Sequence, residues 1–441
     1  MTYNDTCEWL FNKTANYESQ GQNGYKPSLD NMMKLDEHYQ HPHQNFRCIH
    51  IAGTNGKGSV SHTIAAVLQV CGYSVGLYTS PHLTDFGERI RVNGRPIEED
   101  YVTSFVDEGK YFFEKIGATF FEIATEMAFN YFKDKQIDIA VVEVGLGGRL
   151  DSTNIITPIL SVITNISLDH THLLGNSLEQ IAIEKGGIIK EGVPVVIGET
   201  TETTRPVFEL LAQQNHAPIT YAEDNDNILS AEFLPKSSEI FYNVRELGEF
   251  KGQLCGLCQV KNTRTTLTAI RELANQGYLV TLSPDNNEMR MFVLKEISEA
   301  FIHVCEITGL RGRWQKVKEE PTVICDIGHN VGAWQLLSRQ LEEAKYKHLH
   351  IIFGMVDDKD IYGVMSLLPK NATYYFTKSK STRSLSEQSI MVFGQQFGLE
   401  GNSYPSVKEA FSAAQIAAST NDLIFVGGSN YVVADFLKNL D

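Results

Sequence analysis

Short unbroken apolar runs alternate along this chain with stretches whose apolar residues recur at helical spacing. Phe46–Ala52, Ser74–Thr79, Ile137–Val144, Ile159–Thr164 and Val193–Ile197 are of the first kind, and each reads as a buried strand. Between them, Lys57–Cys71 carries Val60, Ile64, Val67 and Leu68 on one face, Thr119–Lys133 is amphipathic, and a helix is expected around Leu178–Lys190. Continuous apolar strands separated by helices predict a parallel sheet covered on both faces. Residues 225–257 break the pattern, and their short β-like stretches between polar clusters predict an antiparallel excursion. A helix follows over Lys261–Gln276. A second alternation starts at Thr322–Asp326 and runs through His348–Gly354, Thr373–Thr377 and Asp422–Gly427. Gly309 and Gly312 interrupt the helical pattern at Thr308–Arg313, the expected linker. The expectation is an α/β protein of two domains, residues 1–310 and a smaller Rossmann-like 311–441, with a cleft between them suited to a ligand.

Composition narrows the class. A chain of 441 residues exceeds what one core normally fills, and 42% hydrophobic with 21% charged residues excludes a disordered chain. The net charge of −16 argues against a nucleic-acid or membrane-surface partner. No apolar run approaches the roughly 18 residues of a membrane helix. The start of the chain carries Asp5 and Glu8 and no basic-then-apolar pattern, which predicts a cytoplasmic protein. Seven scattered cysteines fit reduced thiols. Cys255 and Cys258 form a lone C-x-x-C without a second pair or a nearby His pair, so they read as structural.

Candidate chemistry begins at Ile51-Ala-Gly-Thr-Asn-Gly-Lys-Gly-Ser59, between a strand and a helix. Glycines let successive backbone N–H groups face one phosphate, and the helix dipole adds to the attraction. Thr54, Asn55, Gly56, Lys57, Gly58 and Ser59 are therefore candidate ATP contacts, with Lys57 on the outer phosphates and Ser59 near magnesium. The spacing is shorter than the generic P-loop, and Gly58 intervenes before Ser59. A chance glycine turn is the bland alternative, but the strand–loop–helix context favours a P-loop-type first domain. Glu143 ends a strand, where carboxylates face the ligand crevice and suit magnesium. Leu168-Asp-His-Thr-His172 follows another strand. Its histidines lack the partners a zinc site needs. Asp326-Ile-Gly-His-Asn330 ends the first strand of the second domain, where Asn330 could equally be a helix cap.

These clusters, in this order, resemble the folylpolyglutamate synthase and dihydrofolate synthase family, relatives of the Mur ligases. The carriers are Ala52–Val60, Tyr78–Arg95 (YTSPHLTDFGERIRVNGR), Phe121–Phe129, Val142–Asn154 (VEVGLGGRLDSTN), Leu168–Gly175, Glu184–Lys190, Arg311–Trp314 and Asp326–Asn330. Gly186, where the family commonly has Ala, and Ile327 depart from its pattern. Residues 220–257 match poorly, and nothing is carried over there. The resemblance implies an ATP-dependent ligase that joins L-glutamate to dihydropteroate and to tetrahydrofolate through an acyl phosphate, with ATP and Mg2+. It also implies a monomer. By correspondence Lys57, Glu143, His170 and Lys185 are catalytic, and Ser59, Ser80, Glu143, His170 and Lys185 surround the metal. Lys185 matches a carbamylated lysine. Asn262, Arg313, Asp326 and His329 join the ATP contacts. The folate side is assigned to Ser28, Leu29, Asp30, Asn31, Pro81, His82, Arg89, Thr119, Phe120, Phe121, Glu122, Leu150, Asp151 and Ser152.

Three rival readings stand beside this one. The enzyme could extend folates only. It could be a Mur-type amino-acid ligase, against which stand the short stretch before Gly53 and the absence of Ser or Thr directly after Lys57. It could also be a nucleotide-binding switch without ligase activity.

Overall fold

A computed structural model describes residues 1–16, 24, 26–225, 227–234, 238–245, 247–279 and 287–440, with side chains 287–294 outside the description. The strands run in chain order as β1 (Arg47–Ala52), β2 (Val75–Tyr78), β3 (Ile90–Val92), β4 (Arg95–Pro96), β5 (Ile139–Glu143), β6 (Leu160–Ile163), β7 (Val195–Ile197) and β8 (Ile219–Tyr221). They form one sheet in the order β4-β3-β2-β5-β1-β6-β7-β8. At one edge β3 pairs antiparallel with both β2 and β4, and all other pairs are parallel. β9 (Ile228–Leu234), β10 (Glu239–Val244) and β11 (Gly248–Gly252) form a separate antiparallel sheet, the expected excursion.

The third sheet contains β12 (Gln315–Lys318), β13 (Thr322–Cys325), β14 (Leu349–Phe353), β15 (Thr373–Thr377), β16 (Glu400–Tyr404) and β17 (Leu423–Gly427), ordered β12-β13-β17-β14-β15-β16. Only β12 runs antiparallel to its neighbour. The molecule is thus mixed α/β, with a mostly parallel N-terminal sheet and a separate C-terminal α/β domain.

Strand alternation explains the layering. In β5, Ile139 and Val141 enter the core under the helix Lys57–Val70, while Ala140 and Val142 enter the core under Phe120–Asp134. Successive side chains point to opposite faces, so both faces must be covered, and they are. The first of these cores continues through the helix Leu257–Asn275 to Trp334 and Leu337 of the C-terminal domain, giving the two domains an apolar seam.

Several boundaries differ from the sequence expectation. The helix beginning at Leu178 stops at Gly186, not Lys190, where Gly186-Gly187 removes helix-forming side chains. The helix expected from Lys261 begins at Leu257. Glu99–Ile116, β8 and β16 were not anticipated. β16 (Glu-Gly-Asn-Ser-Tyr) is a polar edge strand and has no apolar run to announce it. Among the described residues, no helix is long and apolar enough to cross a membrane.

Candidate active site

β1 is the first strand in sequence yet lies between β5 and β6: the chain runs from β1 to β2–β5 on one side and then crosses from β5 to β6 on the other. A crevice outside the carboxyl ends of such strands is where open α/β sheets bind ligands. The phosphate loop leaves β1 there and enters the helix Lys57–Val70. Gly56 has φ +86°, and a Cβ would run into the Asn262 side chain, so glycine is required at that turn. Residues after β6 brace the loop. Asn55 N donates to Asn165 Oδ1 at 3.0 Å, Thr54 Oγ1 donates to the Ser167 carbonyl at 3.1 Å, and Thr164 Oγ1 donates to the Asn55 carbonyl at 2.6 Å.

Two lysines converge on this loop. Lys57 Nζ lies 3.1 Å from the Gly53 carbonyl oxygen, and Lys185 Nζ lies 2.9 Å from the same atom. Burial pushes the Lys185 amine down to about 7, and the neighbouring Lys57 charge adds to the shift. Burial lowers Lys57 too, against the opposing pull of Glu143. Glu143, at the end of β5 and 4% exposed, is pushed up to about 7 by burial despite Lys57 and Arg313. A buried carboxylate held that high has unmet demand for positive charge.

The donor set fits a hard divalent cation. Ser59, Ser80 and Glu143 border one cleft with the phosphate loop, offering hydroxyl and carboxylate oxygens. A single acid leaves most of a coordination shell to phosphate oxygens and water, the usual arrangement for magnesium beside a nucleotide. His170 faces the adjoining cavity. Burial drives its pKa down to about 3, with Lys359 assisting, so the ring is neutral. Its Nε2 lies 3.3 Å from Lys359 Nζ. Asn262, Arg313, Asp326 and His329 line the phosphate-loop cleft as expected. Asp326 accepts from Trp314 N at 2.7 Å and Gly328 N at 2.8 Å, which ties the linker to the end of β13.

A second cavity opens on the other side of Lys57, walled by Thr119–Glu122, Gly145–Gly147, Leu150–Ser152, Asp169, His170 and Lys185. Thr54, Lys57, Ser80, Pro81 and His329 belong to both cavities. Thr119 caps its helix through a reciprocal pair with Glu122, fixing that wall. Phe121 is the half-buried ring, packed on Gly145 and tilted against Tyr78 at 5.9 Å. Phe120 is 1% exposed, stacked on Phe11 and covered by Arg89. The face available to a planar ligand is therefore that of Phe121.

Three groups fall elsewhere than the sequence suggested, and a fourth residue, Asn330, takes the helix-cap place that the sequence left open. Ser28, Leu29, Asp30 and Asn31 are not among the described residues that line this cavity; Asn31 donates to the Gly117 carbonyl and to Glu122, a wall residue. Ala15, Asn16, Gly24 and Lys26 form that side of the wall instead. Arg89 is fully buried, and its Nε donates to His82 Nδ1 at 2.8 Å, so it orders His82 and does not face the cavity. His82 itself lines a neighbouring recess with Arg91 and Arg311. Asn330 caps the helix Val331–Glu343, and it also bridges the domains by hydrogen bonds to Asn55 and Asp169.

Sequence reasoning missed Lys359, which enters the cavity just past β14 and lies 2.6 Å from Asp169. The charged run Asp357–Asp360 follows a strand end, the same signal that identified Glu143.

The Mur ligase middle domain matches residues 51–270, and the Mur ligase glutamate ligase domain matches 312–430. A dihydrofolate synthase/folylpolyglutamate synthase of Bacillus subtilis is 30% identical over 449 residues, covering 99% of both chains. The chain belongs to the dihydrofolate synthase/folylpolyglutamate synthase family. An Escherichia coli family member is 31% identical, with 89% of this chain and 86% of that one covered. The solved structure of E. coli FolC in complex with DHPP and ADP superposes with a TM-score of 0.82 at 28% identity, covering 100% and 98% of the two chains. A Yersinia pestis family member complexed with AMPPNP and Mn ion gives 0.78 at 26% identity, covering 100% and 98%.

Proposed function

We propose that this protein is an ATP-dependent ligase that joins L-glutamate to dihydropteroate, giving dihydrofolate, and to tetrahydrofolate, giving folylpolyglutamates. One observation carries the reading: the nucleotide-type cleft and the aromatic-walled cavity meet at Lys57 and Ser80. A folate whose pterin lies against Phe121 directs its carboxylate toward that junction, where ATP bound on the phosphate loop presents its γ-phosphate.

The chemistry follows from that meeting point. A carboxylate is a poor electrophile, so one of its oxygens attacks the γ-phosphorus and ADP leaves, giving an acyl phosphate. The amine of glutamate then attacks the acyl carbon, and inorganic phosphate departs with the former carboxylate oxygen. Lys57 and the loop N–H groups align and neutralise the transferring phosphate, which is most of what phosphoryl transfer demands. Ser59, Ser80 and Glu143, with His170, would hold magnesium, whose charge offsets that of the phosphate oxygens. Lys185, whose amine burial lowers to about 7, is suited to become a carbamate, an anion where an ammonium would be repelled. Arg313, Asp326 and His329 reach the cleft from the C-terminal side and help exclude the water that would hydrolyse an acyl phosphate.

A division at 310/311 keeps every strand of the first two sheets on one side and the third sheet on the other. From the family resemblance we take the monomer as the active unit. The free cysteines and the need for ATP fit a cytoplasmic setting. The test is ADP release by purified protein with dihydropteroate or tetrahydrofolate as acceptor. Glutamate-dependent release with both supports the dual activity. Release with tetrahydrofolate alone leaves a folylpolyglutamate synthase, and nucleotide binding without turnover leaves a switch.

A further inference from the structure

His50 is the fourth residue of β1, wholly buried, and no step above uses it. Its Nε2 lies 2.8 Å from Thr153 Oγ1. The Thr153 hydroxyl in turn donates to Asp151 Oδ1 at 2.5 Å, and Thr153 N donates to the same oxygen at 3.0 Å. Asp151 Oδ2 accepts from Leu146 N at 2.8 Å. One carboxylate therefore clips together the two ends of the loop 146–153, which supplies Leu146, Gly147, Leu150 and Ser152 to the wall of the folate-side cavity.

The direction of each proton is fixed. Burial raises the Asp151 pKa, but Leu146 N and Thr153 N both donate to it and oppose that rise, so Asp151 acts as the acceptor and the Thr153 hydroxyl proton goes to it. The Thr153 oxygen is then left to accept, and the proton it receives comes from His50 Nε2. That assigns the Nε2–H tautomer, with Nδ1 unprotonated. In agreement, Nδ1 has no hydrogen-bond partner among the described residues. The imidazole is wholly buried, and burial, with the nearby Lys190 charge, holds it neutral at any ordinary pH, so it is a fixed donor and not a switch.

We propose that His50 is a positioning residue for the folate-side wall, acting through the chain His50 Nε2–H, Thr153 Oγ1–H and Asp151. Chains of this kind polarise one another in a low-dielectric interior, and each donor restricts the next. The inference rests on the folate reading of the cavity. His50 extends the site into the central strand, beyond the loop residues that touch the cavity, and the phosphate loop starts three residues later on that strand.

The test uses paired substitutions in the full-length protein, with KM measured separately for dihydropteroate and ATP. Thr153→Val keeps the shape and removes the hydroxyl, while Thr153→Ser keeps the hydroxyl. His50→Leu removes the donor, while His50→Gln places an amide N–H near the position of Nε2. Thr153→Val and His50→Leu should each raise KM for dihydropteroate about tenfold, the scale of one lost buried hydrogen bond. KM for ATP should move less than about twofold, since the phosphate loop is braced from the other side of β1. Thr153→Ser and His50→Gln should recover most of the loss. The double variant Thr153→Val with His50→Leu should cost no more than Thr153→Val alone, because the chain is already broken. Equal changes in both KM values, additive effects, or a lowered Tm with both KM values intact would overturn the proposal. Should His50→Leu fail to fold, the two Thr153 variants decide. A parent protein with no folate-dependent ADP release would instead remove the functional reading on which the proposal rests.

Discussion

Lys359 Nζ lies 2.6 Å from Asp169 Oδ1, joining the loop after β14 to the loop after β6, with both side chains less than a tenth exposed. Asn330 Nδ2 donates to the other carboxylate oxygen at 3.0 Å, and His329 Nε2 stands 3.6 Å away. Burial alone would raise the Asp169 pKa, but Lys359 and His329 hold it well below the usual carboxylate range. Three groups from the C-terminal domain thus converge on one carboxylate of the other domain, beside His170. Removing one partner of a buried pair costs roughly 3–5 kcal/mol when nothing else compensates. Asn330 and His329 remain, so Lys359→Met should lower kcat by about tenfold and leave the affinity for a non-hydrolysable ATP analogue within about threefold. Small-angle scattering with that analogue should show a more open variant. An unchanged kcat would mean that the pair does not hold the two domains in their active arrangement.

Lys57→Ala should fold normally yet lose about 10²–10³-fold in kcat, because a charge aligned on the transferring phosphate disappears as charge redistributes. Thermal melting and turnover at saturating ATP check both halves. Near-parental turnover would contradict the phosphate-loop assignment.

The Lys185 amine titrates near pH 7, far below an ordinary lysine. Only the neutral amine attacks carbon dioxide, so carbamate should form above that pH and be lost as pH falls through it. With isotopically labelled bicarbonate, NMR should show a carbamate carbon at pH about 8, absent from Lys185→Ala and fading below pH about 7. Active protein without that signal would exclude the carbamate.

Glu126 is wholly buried in the helix Phe120–Asp134, and burial with the nearby Asp36 charge pushes its carboxyl up to about 8. Between its unfolded pKa of about 4.3 and the folded value, the native state keeps a proton that the unfolded state has released. Stability must therefore fall with rising pH across that window. Glu126→Gln cannot ionise, so its Tm relative to the parent should improve steadily from pH about 5 to about 8. A pH-independent difference would show that Glu126 ionises freely in the fold.

Where chemistry is local in sequence, the chain announced it. The phosphate loop, Glu143 and the Asp326–Asn330 cluster each follow an apolar strand, and strand ends in a parallel sheet face the crevice. What escaped reading depends on pairing between distant segments. His50 and Thr153 are 103 positions apart, and Asp169 and Lys359 are 190 apart. A histidine inside an apolar run has no local signature separating a buried relay from a core residue. Arg89 misled for the opposite reason: a basic residue in the loop after Ser80 suggests an anion contact until burial shows it held by His82 and the Phe120 ring. β16 is polar and carries no apolar signal, whereas Val102, Phe105, Val106, Gly109 and Phe113 recur at helical spacing and make Glu99–Ile116 legible in the sequence.

The central claim is that ATP activates the folate carboxylate, and the fate of one oxygen atom tests it directly. Dihydropteroate carrying the heavy oxygen isotope in its carboxylate should be turned over with glutamate and unlabelled ATP in ordinary water, and the released phosphate examined by mass spectrometry. Transfer of one labelled oxygen to inorganic phosphate in each turnover is the predicted result. Unlabelled phosphate, with the departing heavy oxygen recovered in water instead, would contradict an acyl-phosphate route.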